Sequence, residues 1–486
     1  MNRRAVVILV VLVVVAVAAL SGASALVLGG ASLASGSADA WRLQSRALAW
    51  SGVQAALAEL ADQRRDLLVG KPPSLTETWD LYTAANGRRA VVRLVPVDAS
   101  PDRDGSPDSP ELLASEAARL NLNTATAQMI AAVTQCDASV ASAIVAARPF
   151  GSVEDVLRLP GIPPDFLDAG DTPVRSRLTV FSADPNVQAG VDSAEDSIGR
   201  QRINLNTPWS DRLGRDLDAR FGGGAGEAVK KLMGSGKQFR TTSELIATMR
   251  SEFTIPVDTW AIPLDCLATS PDPYLPGRID LLTASADVLA TVPGIGPEAA
   301  AQIVRTRVDL DDELRRTPTW PGAQGILDAD AMQSALDHVV SRSLQWRLRV
   351  EAGLAPAEGD GPLERAMVLE AVLDVSSERP RVAYLREVGV LDSLSRAPAS
   401  DRGPNAGAEH SQPASSPTPD RPAARPSAPT PTARPQARPP QRRDSSRAAG
   451  APPTEPATNL QAGGEEPTPV DRRVGRWASP GEGSRR

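Results

Sequence analysis

From Ala5 to about Ala34 the chain carries no charge and is mostly Val, Leu, Ile and Ala, with Arg3 and Arg4 just ahead of the run. At about 1.5 Å of rise per residue, a helix over it is long enough for the roughly 30 Å hydrocarbon core of a bilayer. Basic residues precede the run and none follow closely, which directs the bulk of the chain to the non-cytoplasmic side. A second reading takes Ala23-Ser24-Ala25 as a signal-cleavage site. Against it, apolar character continues through Leu26, Val27 and Leu28. Further on, Leu43, Ala47, Trp50, Leu57 and Leu60 fall at roughly helical spacing, with Arg46, Gln54 and Asp62 on other faces. The pattern predicts one long helix, continuous or interrupted, with an apolar first half and an amphipathic second half.

The period then changes. Asn86-Gly87 is a hairpin turn, and Arg89 to Val97 alternate as a strand that ends at Pro96. The same alternation returns near the other end, in LQWRLRVEAGL from Leu344, LERAMVLEAVLDV from Leu363 and RVAYLREVGVL from Arg381. Between these strands one phrase is written three times: LNLNTATAQMI from Leu120, INLNTPWSD from Ile203 and IDLLTASADVL from Ile279. A spacing of roughly 80 residues is too wide for a solenoid repeat, so each copy opens its own small module. The fold class expected is α+β: an N-terminal helix, a small antiparallel sheet and a large, mostly helical insert.

In the third copy Ser285 caps a helix with Asp287 in its first turn and Val288, Leu289 and Val292 on its apolar face. Pro293-Gly294-Ile295-Gly296 then breaks it, and Pro297 starts the next helix. The first copy has Thr134-Gln135-Cys136-Asp137 where PGIG would stand, and closes on FGSVEDVLRLPGI, with a cap at Ser152, acids at Glu154 and Asp155 and a stop at Pro160-Gly161. The second has Gly222 to Gly224 at its turn and closes on TTSELIATM. PGIG followed by a helix with Ile303 and Val304 resembles the helix-hairpin-helix family. In DNA-binding members of that family, hairpin N–H groups and the following helix N-terminus hold a phosphate, which makes Gly294, Ile295 and Gly296 a candidate phosphate-binding hairpin. Around it, however, Asp280, Asp287, Glu298, Asp309, Asp311 and Asp312 offset Arg278, Arg305 and Arg307, so no basic face forms and structural packing is the favoured role.

Composition narrows the chemistry. A net charge of -7 over 486 residues argues against a general nucleic-acid binder. Aromatics at 3% and 43 prolines suit small helical modules plus an unstructured portion rather than one large core. Cys136 and Cys266 lack a CxxC, so no metal or thiol-redox site is expected; a disulfide between them and two separate thiols both stay open. His338 and His410 lie in different segments, and no nucleophile, base and orienter occur together, so neither an enzyme nor a cofactor is expected. Asp102, Asp104 and Asp108 near Gly105 read as a solvated loop before a calcium site, and Asp309 to Glu313 as a solvated helix start before a metal cluster. From about Ala397 the text is Pro, Ser, Ala and Arg, which cannot bury enough apolar surface to offset ordering entropy. Its basic part from Arg421 to Arg447 reads as a solvated tail before a contact with cell-wall polymers, acidic lipids or nucleic acid.

Taken in order, the N-terminal apolar helix, RALAWSGVQAALAEL, Glu77-Thr78-Trp79, Asp98, LNLNTA at Leu120, SVEDVLRLPGI at Ser152, LTVFS at Leu178 and INLNT at Ile203 resemble the minor pseudopilin K family of the type II secretion system. The resemblance covers roughly residues 1–393. It implies a pilin-like helix and sheet with an inserted helical domain. It also implies a place at the tip of a short periplasmic filament, with other minor pseudopilins and inner-membrane secretion components as partners. The expected organisation is an anchor over 1–34, pilin-like helix and first strands over 35–118, and modules over 119–178, 201–253 and 278–340. C-terminal strands over 341–393 and a disordered tail over 397–486 complete it. The implied location is the inner membrane, single pass through residues 5–34, with most of the chain periplasmic. In pilin-like filaments a carboxylate at the fifth mature position pairs with the subunit above; no acid occurs here between Met1 and Ala38, which suits a subunit with nothing above it. Prepilin peptidases cut after a glycine, and here Arg4 abuts Ala5, so processing of the leader stays open. The alternative is a membrane-anchored helix-hairpin-helix protein for DNA binding and uptake.

Overall fold

The longest element, α1 (Arg3–Asp62), is followed by the six strands of one antiparallel sheet. The computed structural model describes residues 3–84, 87–97, 111–168, 173–191, 195–234, 238–253, 255–356 and 361–389. Asn86, Asp98, the run with Asp102, Asp104 and Asp108, and the tail over 397–486 lie outside the described residues. Among the described residues no helix is long and apolar enough to cross a membrane. The expected span over 5–34 falls partly outside them, since the side chains from Ala5 to Val14 are not described.

The strands are β1 (Thr78–Thr83), β2 (Arg89–Val95), β3 (Leu113–Ser115), β4 (Gln345–Ala355), β5 (Glu364–Asp374) and β6 (Arg381–Val388). Their order is β1-β2-β4-β5-β6, with β3 continuing along the β2 edge of β4. Ser115 pairs with Trp346, so the chain leaves the sheet and re-enters it at adjacent positions, and everything from Glu116 to Leu344 is an insert between two paired strands. The alternation read from sequence thus places the long strands well. Successive residues of β4 point to opposite faces. Leu348, Val350 and Ala352 pack with α1, while Arg347 and Arg349 occupy the face toward the insert.

The helix face that meets the sheet differs from the expected one. Leu57 and Leu60 are buried, but Leu43 is 68% exposed, Trp50 is 41% exposed and Ala47 is exposed with them. The buried line is Ser45, Leu48, Ala49, Gly52, Val53 and Ala56. Four of its six residues, Ser45, Ala49, Gly52 and Ala56, are small, and that is the physical reason: the sheet approaches α1 where side chains leave room for it. At Gly52 a Cβ would run into Cγ1 of Val92, a β-branched side chain held in the sheet.

Each refrain forms a two-residue strand that pairs in parallel with the strand closing its module: Leu120–Asn121 with Leu178–Thr179, Ile203–Asn204 with Leu267–Ala268, and Ile279–Asp280 with Val339–Val340. The second residue of each phrase turns its side-chain oxygen onto the N–H two residues ahead, at 2.9 Å from Asn121, 3.0 Å from Asn204 and 3.0 Å from Asp280. This is an Asx turn, and it directs the chain off the strand toward the first helix. A hydroxyl then caps that helix in every copy: Thr126 on the Met129 N–H, Ser210 on Leu213 and Ser285 on Val288. Paired helices follow at Ala127–Thr134 and Ala138–Ala146, at Asp211–Phe221 and Ala225–Gly234, and at Ala286–Leu289 and Pro297–Thr306. The first pair makes its turn without glycine, because Gln135 takes the left-handed conformation at φ 56° that Gly294 takes at 86°. The first and third modules share one core, whereas the second builds its own around Leu217, Phe239 and Leu267.

Gly52→Val tests the close approach of α1. Overpacking of this kind destabilises by about 1–3 kcal/mol, so thermal melting of the purified protein should show a clearly lowered midpoint, while Trp50→Ala on the outer face should leave it nearly unchanged.

Candidate assembly surfaces and the charged junction

The insert meets the sheet through charge. Arg347 Nε donates to Glu116 Oε1 at 2.7 Å and its Nη1 to Glu370 Oε1 at 2.7 Å, and Arg349 Nη2 reaches Glu370 Oε2 at 2.6 Å. Arg386 of β6 adds bonds of 3.2 Å to both Glu370 oxygens and reaches Glu154 of the insert at 3.5 Å. Thr179, on the strand that closes the first module, donates its hydroxyl to the other oxygen of Glu116. Arg175 binds Glu154 and Asp168, so the network runs from the sheet into the first module. Burial by itself would raise the Glu370 carboxyl; Arg347, then Arg386 and Arg349, overcome this and hold it far below the ordinary carboxylate range.

A second buried pair fixes the far end of the insert. Arg342 grips Asp184 through Nε at 2.6 Å and Nη2 at 3.2 Å, and also binds the carbonyls of Pro185 and Val187. Asp265 receives the successive N–H groups of Ala189, Gly190 and Val191, a backbone concavity filled by the chain's own carboxylate.

The hairpin singled out in the sequence has mostly structural surroundings. At Gly294 a Cβ would run into the Ala331 carbonyl oxygen. Ile295 is buried in the core and donates its N–H to the Val292 carbonyl at 2.9 Å. Gly296 stands at the open start of the Pro297 helix. Asp311 caps a short helix through the N–H groups of Glu313 and Leu314. Both cysteines are free; Cys266 is buried, and burial pushes its thiol up despite the Arg220 Nε–H it accepts at 3.0 Å. Burial also holds His338 below its ordinary value. Among the described residues no group of three or more His, Cys, Asp or Glu could hold a metal ion.

Some organising residues escaped the sequence reading. Asn123 exchanges two hydrogen bonds with the backbone of Phe150, 2.8 Å from its N–H and 3.0 Å to its carbonyl, and Asn206 does the same with Phe239 at 2.9 and 2.7 Å. The signal was present as an Asn at the fourth position of the first two phrases and Leu282 in the third. The arginines Arg148 and Arg307 likewise return from the ends of their helices to carbonyls of the phrase, Arg148 to Leu122 and Ala125, Arg307 to Ala284.

Removal of Glu370 leaves arginines buried without their counter-charge, a change of about 3–5 kcal/mol in typical cases, so Glu370→Gln should lower the melting midpoint strongly. The carboxyl's depressed folded value means its stabilisation is complete above the unfolded value near pH 4.3 and is lost as pH falls below it. Wild-type melting should therefore decline between about pH 5 and pH 3 more steeply than that of Glu370→Gln. Asn123→Ala removes both bonds to Phe150 and leaves buried groups unmatched, at about 1–3 kcal/mol. Hydrogen exchange should be faster at the Phe150 amide in that variant and unchanged at Phe239.

Residues 120–174 match the model of the family described as type II secretion system (T2SS), protein K. No curated protein matches the chain. Among solved structures, the crystal structure of the GspK-GspI-GspJ complex from the enterotoxigenic Escherichia coli type 2 secretion system is similar at 11% identity and a TM-score of 0.27, over 71% of this chain and 98% of the other. The matched segment is the first refrain with its helix pair and closing turn, and through it the resemblance of this chain to the type II secretion protein K family is borne out.

Proposed function

We propose that this protein is a minor pseudopilin of a type II secretion system, acting by assembly at the tip of a periplasmic pseudopilus and helping to start it. The observation that carries the reading is the protein K match over residues 120–174. It is supported by an architecture in which a long helix packs on an antiparallel sheet and a helical insert leaves and re-enters that sheet at paired positions. In this reading residues 5–34 anchor the chain in the inner membrane as a single pass, and the described head lies in the periplasm. Large apolar side chains are exposed along α1 at Val15, Val17, Leu20, Leu26, Val27 and Leu28. Such a surface calls for lipid or protein cover. Leu43, Ala47 and Trp50 continue it past the anchor and offer a docking stripe for the helices of other minor pseudopilins. The DNA-uptake alternative is the less favoured reading, because the acids around the Gly294 to Gly296 hairpin offset its arginines and leave no basic face.

Full-length protein extracted from membranes in mild detergent should co-purify with the other minor pseudopilins of its host, and Trp50→Asp should weaken that complex without unfolding the head. A deletion strain should lose secretion through this pathway. Absence of any such complex, together with intact secretion in the deletion strain, would sink the reading.

A further inference from the structure

The refrain extends one residue upstream of the phrase: Arg119 precedes Leu120, Arg202 precedes Ile203 and Arg278 precedes Ile279. The three repeated arginines meet different surroundings. In the first copy Arg119 lines a small cavity together with Glu154 and Glu370, so carboxylates stand near its charge. In the other copies Arg202 and Arg278 line one shared cavity with Asn186, Thr242, Thr269 and Ser270, and no carboxylate of the described residues lines it.

The nearest acids are already committed. Asp184 binds Arg342 through both oxygens and reaches Arg202 Nη1 only at 4.0 Å. Asp265 holds the N–H groups of Ala189, Gly190 and Val191, offering Arg202 Nε only its backbone carbonyl at 3.2 Å. Asp337 caps the helix that starts at Thr242. Among the described residues Arg278 has one long hydrogen bond, from Nη2 to the Thr242 hydroxyl at 3.3 Å. The Arg202 side chain is only 11% exposed. Burial, reinforced by the neighbouring Arg342, holds its guanidinium down to about 10, and burial pushes Arg278 below its ordinary value as well. Two largely desolvated cations face one polar cavity, and among the described residues Arg202 has a carboxylate only at 4.0 Å and Arg278 has none within ion-pair distance, an arrangement that an anion in the cavity would relieve.

The cavity selects the anion. Its volume is about 40 Å³. With roughly 10–15 Å³ needed for each water-sized group, it admits about three such positions, the scale of a tetrahedral oxyanion rather than a nucleotide or a lipid. Guanidinium forks match oxyanions through paired N–H donors. Asn186 adds a demand of the opposite kind. Its Nδ2 donates to the carbonyls of Ser270 and Asp272, and its buried Oδ1 has no partner among the described residues. An acceptor beside two cations is satisfied by an anion that also carries a proton. We propose that Arg202, Arg278 and Asn186 form a binding site for hydrogen phosphate, which bridges the second and third modules at the residue preceding each refrain.

Calorimetric titration of the full-length protein in detergent with inorganic phosphate, at constant ionic strength set by chloride and near pH 7, tests this. Saturable binding is expected, with sulfate weaker because it has no proton to give Asn186. Arg278→Gln and Arg202→Gln should each weaken phosphate binding about tenfold or more, since a charge-assisted pair is lost. Bound phosphate should raise the melting midpoint of wild type and not of either variant. No saturable binding to wild-type protein would overturn the proposal, and that result does not depend on whether the variants fold. Sulfate binding as tightly as phosphate, or unchanged binding by folded Arg278→Gln, would overturn it as well.

Discussion

Glu370 sits on β5 between the arginines of β4 and β6, nearly inaccessible, and takes hydrogen bonds from Arg347, Arg349 and Arg386. The sheet is covered on both faces, and this carboxylate makes the second cover possible. One face packs by apolar contact on α1. The other must receive an insert whose nearest residue, Glu116, is itself buried and charged. Two carboxylates and three guanidinium groups satisfy one another there, and the geometry that satisfies them is narrow. Buried ion pairs add little net stability over an apolar packing of the same volume, because desolvation offsets most of the attraction. What they add here is position. A one-residue slip of β4 would carry Arg347 and Arg349 into the α1 interface, so the network and the register depend on each other.

The insert solves a different problem. A helix pair of about twenty residues has too small a core to hold itself, and each module compensates by closing its own ends. The refrain and the closing strand form a two-residue parallel ladder, an Asx turn sets the exit direction, and a hydroxyl caps the first helix. In the first two copies an asparagine also ties the phrase to the start of the closing element. The third substitutes Leu282 and shares its core with the first copy. Local hydrogen bonding and shared burial are therefore exchangeable ways of closing the same unit.

Local chemistry was legible in the sequence and long-range chemistry was not. The strand from Arg89, the three C-terminal strands, the cap at Ser285 and the turn at Gly294 to Gly296 all rest on neighbours within a few residues, and their patterns identify them. The face of α1 was misread because Leu43, Ala47 and Trp50 have sound helical spacing; only the sheet's need for close approach selects the Ala49, Gly52, Val53 and Ala56 line instead. The charged junction was invisible because Glu116, Arg347, Glu370 and Arg386 are far apart in the chain and each, alone, looks like an ordinary surface charge. Gln135 escaped for another reason. A left-handed turn is usually announced by glycine, and here the packing of the two flanking helices holds a non-glycine residue in that conformation.

The head turns most of its large apolar side chains inward, while α1 leaves Leu43 and Trp50, with Ala47 between them, exposed. Small residues at Ser45, Ala49, Gly52 and Ala56 set the face that the sheet approaches, and that choice of face leaves Leu43 and Trp50 outside. A stripe that only filled space in the monomer would have been buried by exchanging the two faces, which the helical period permits at no geometric expense. Leaving Trp50 in solvent and glycine in the core is the costlier arrangement for an isolated chain. It becomes the favourable one when an apolar partner surface covers the outer face, because the same burial then removes Trp50 from water.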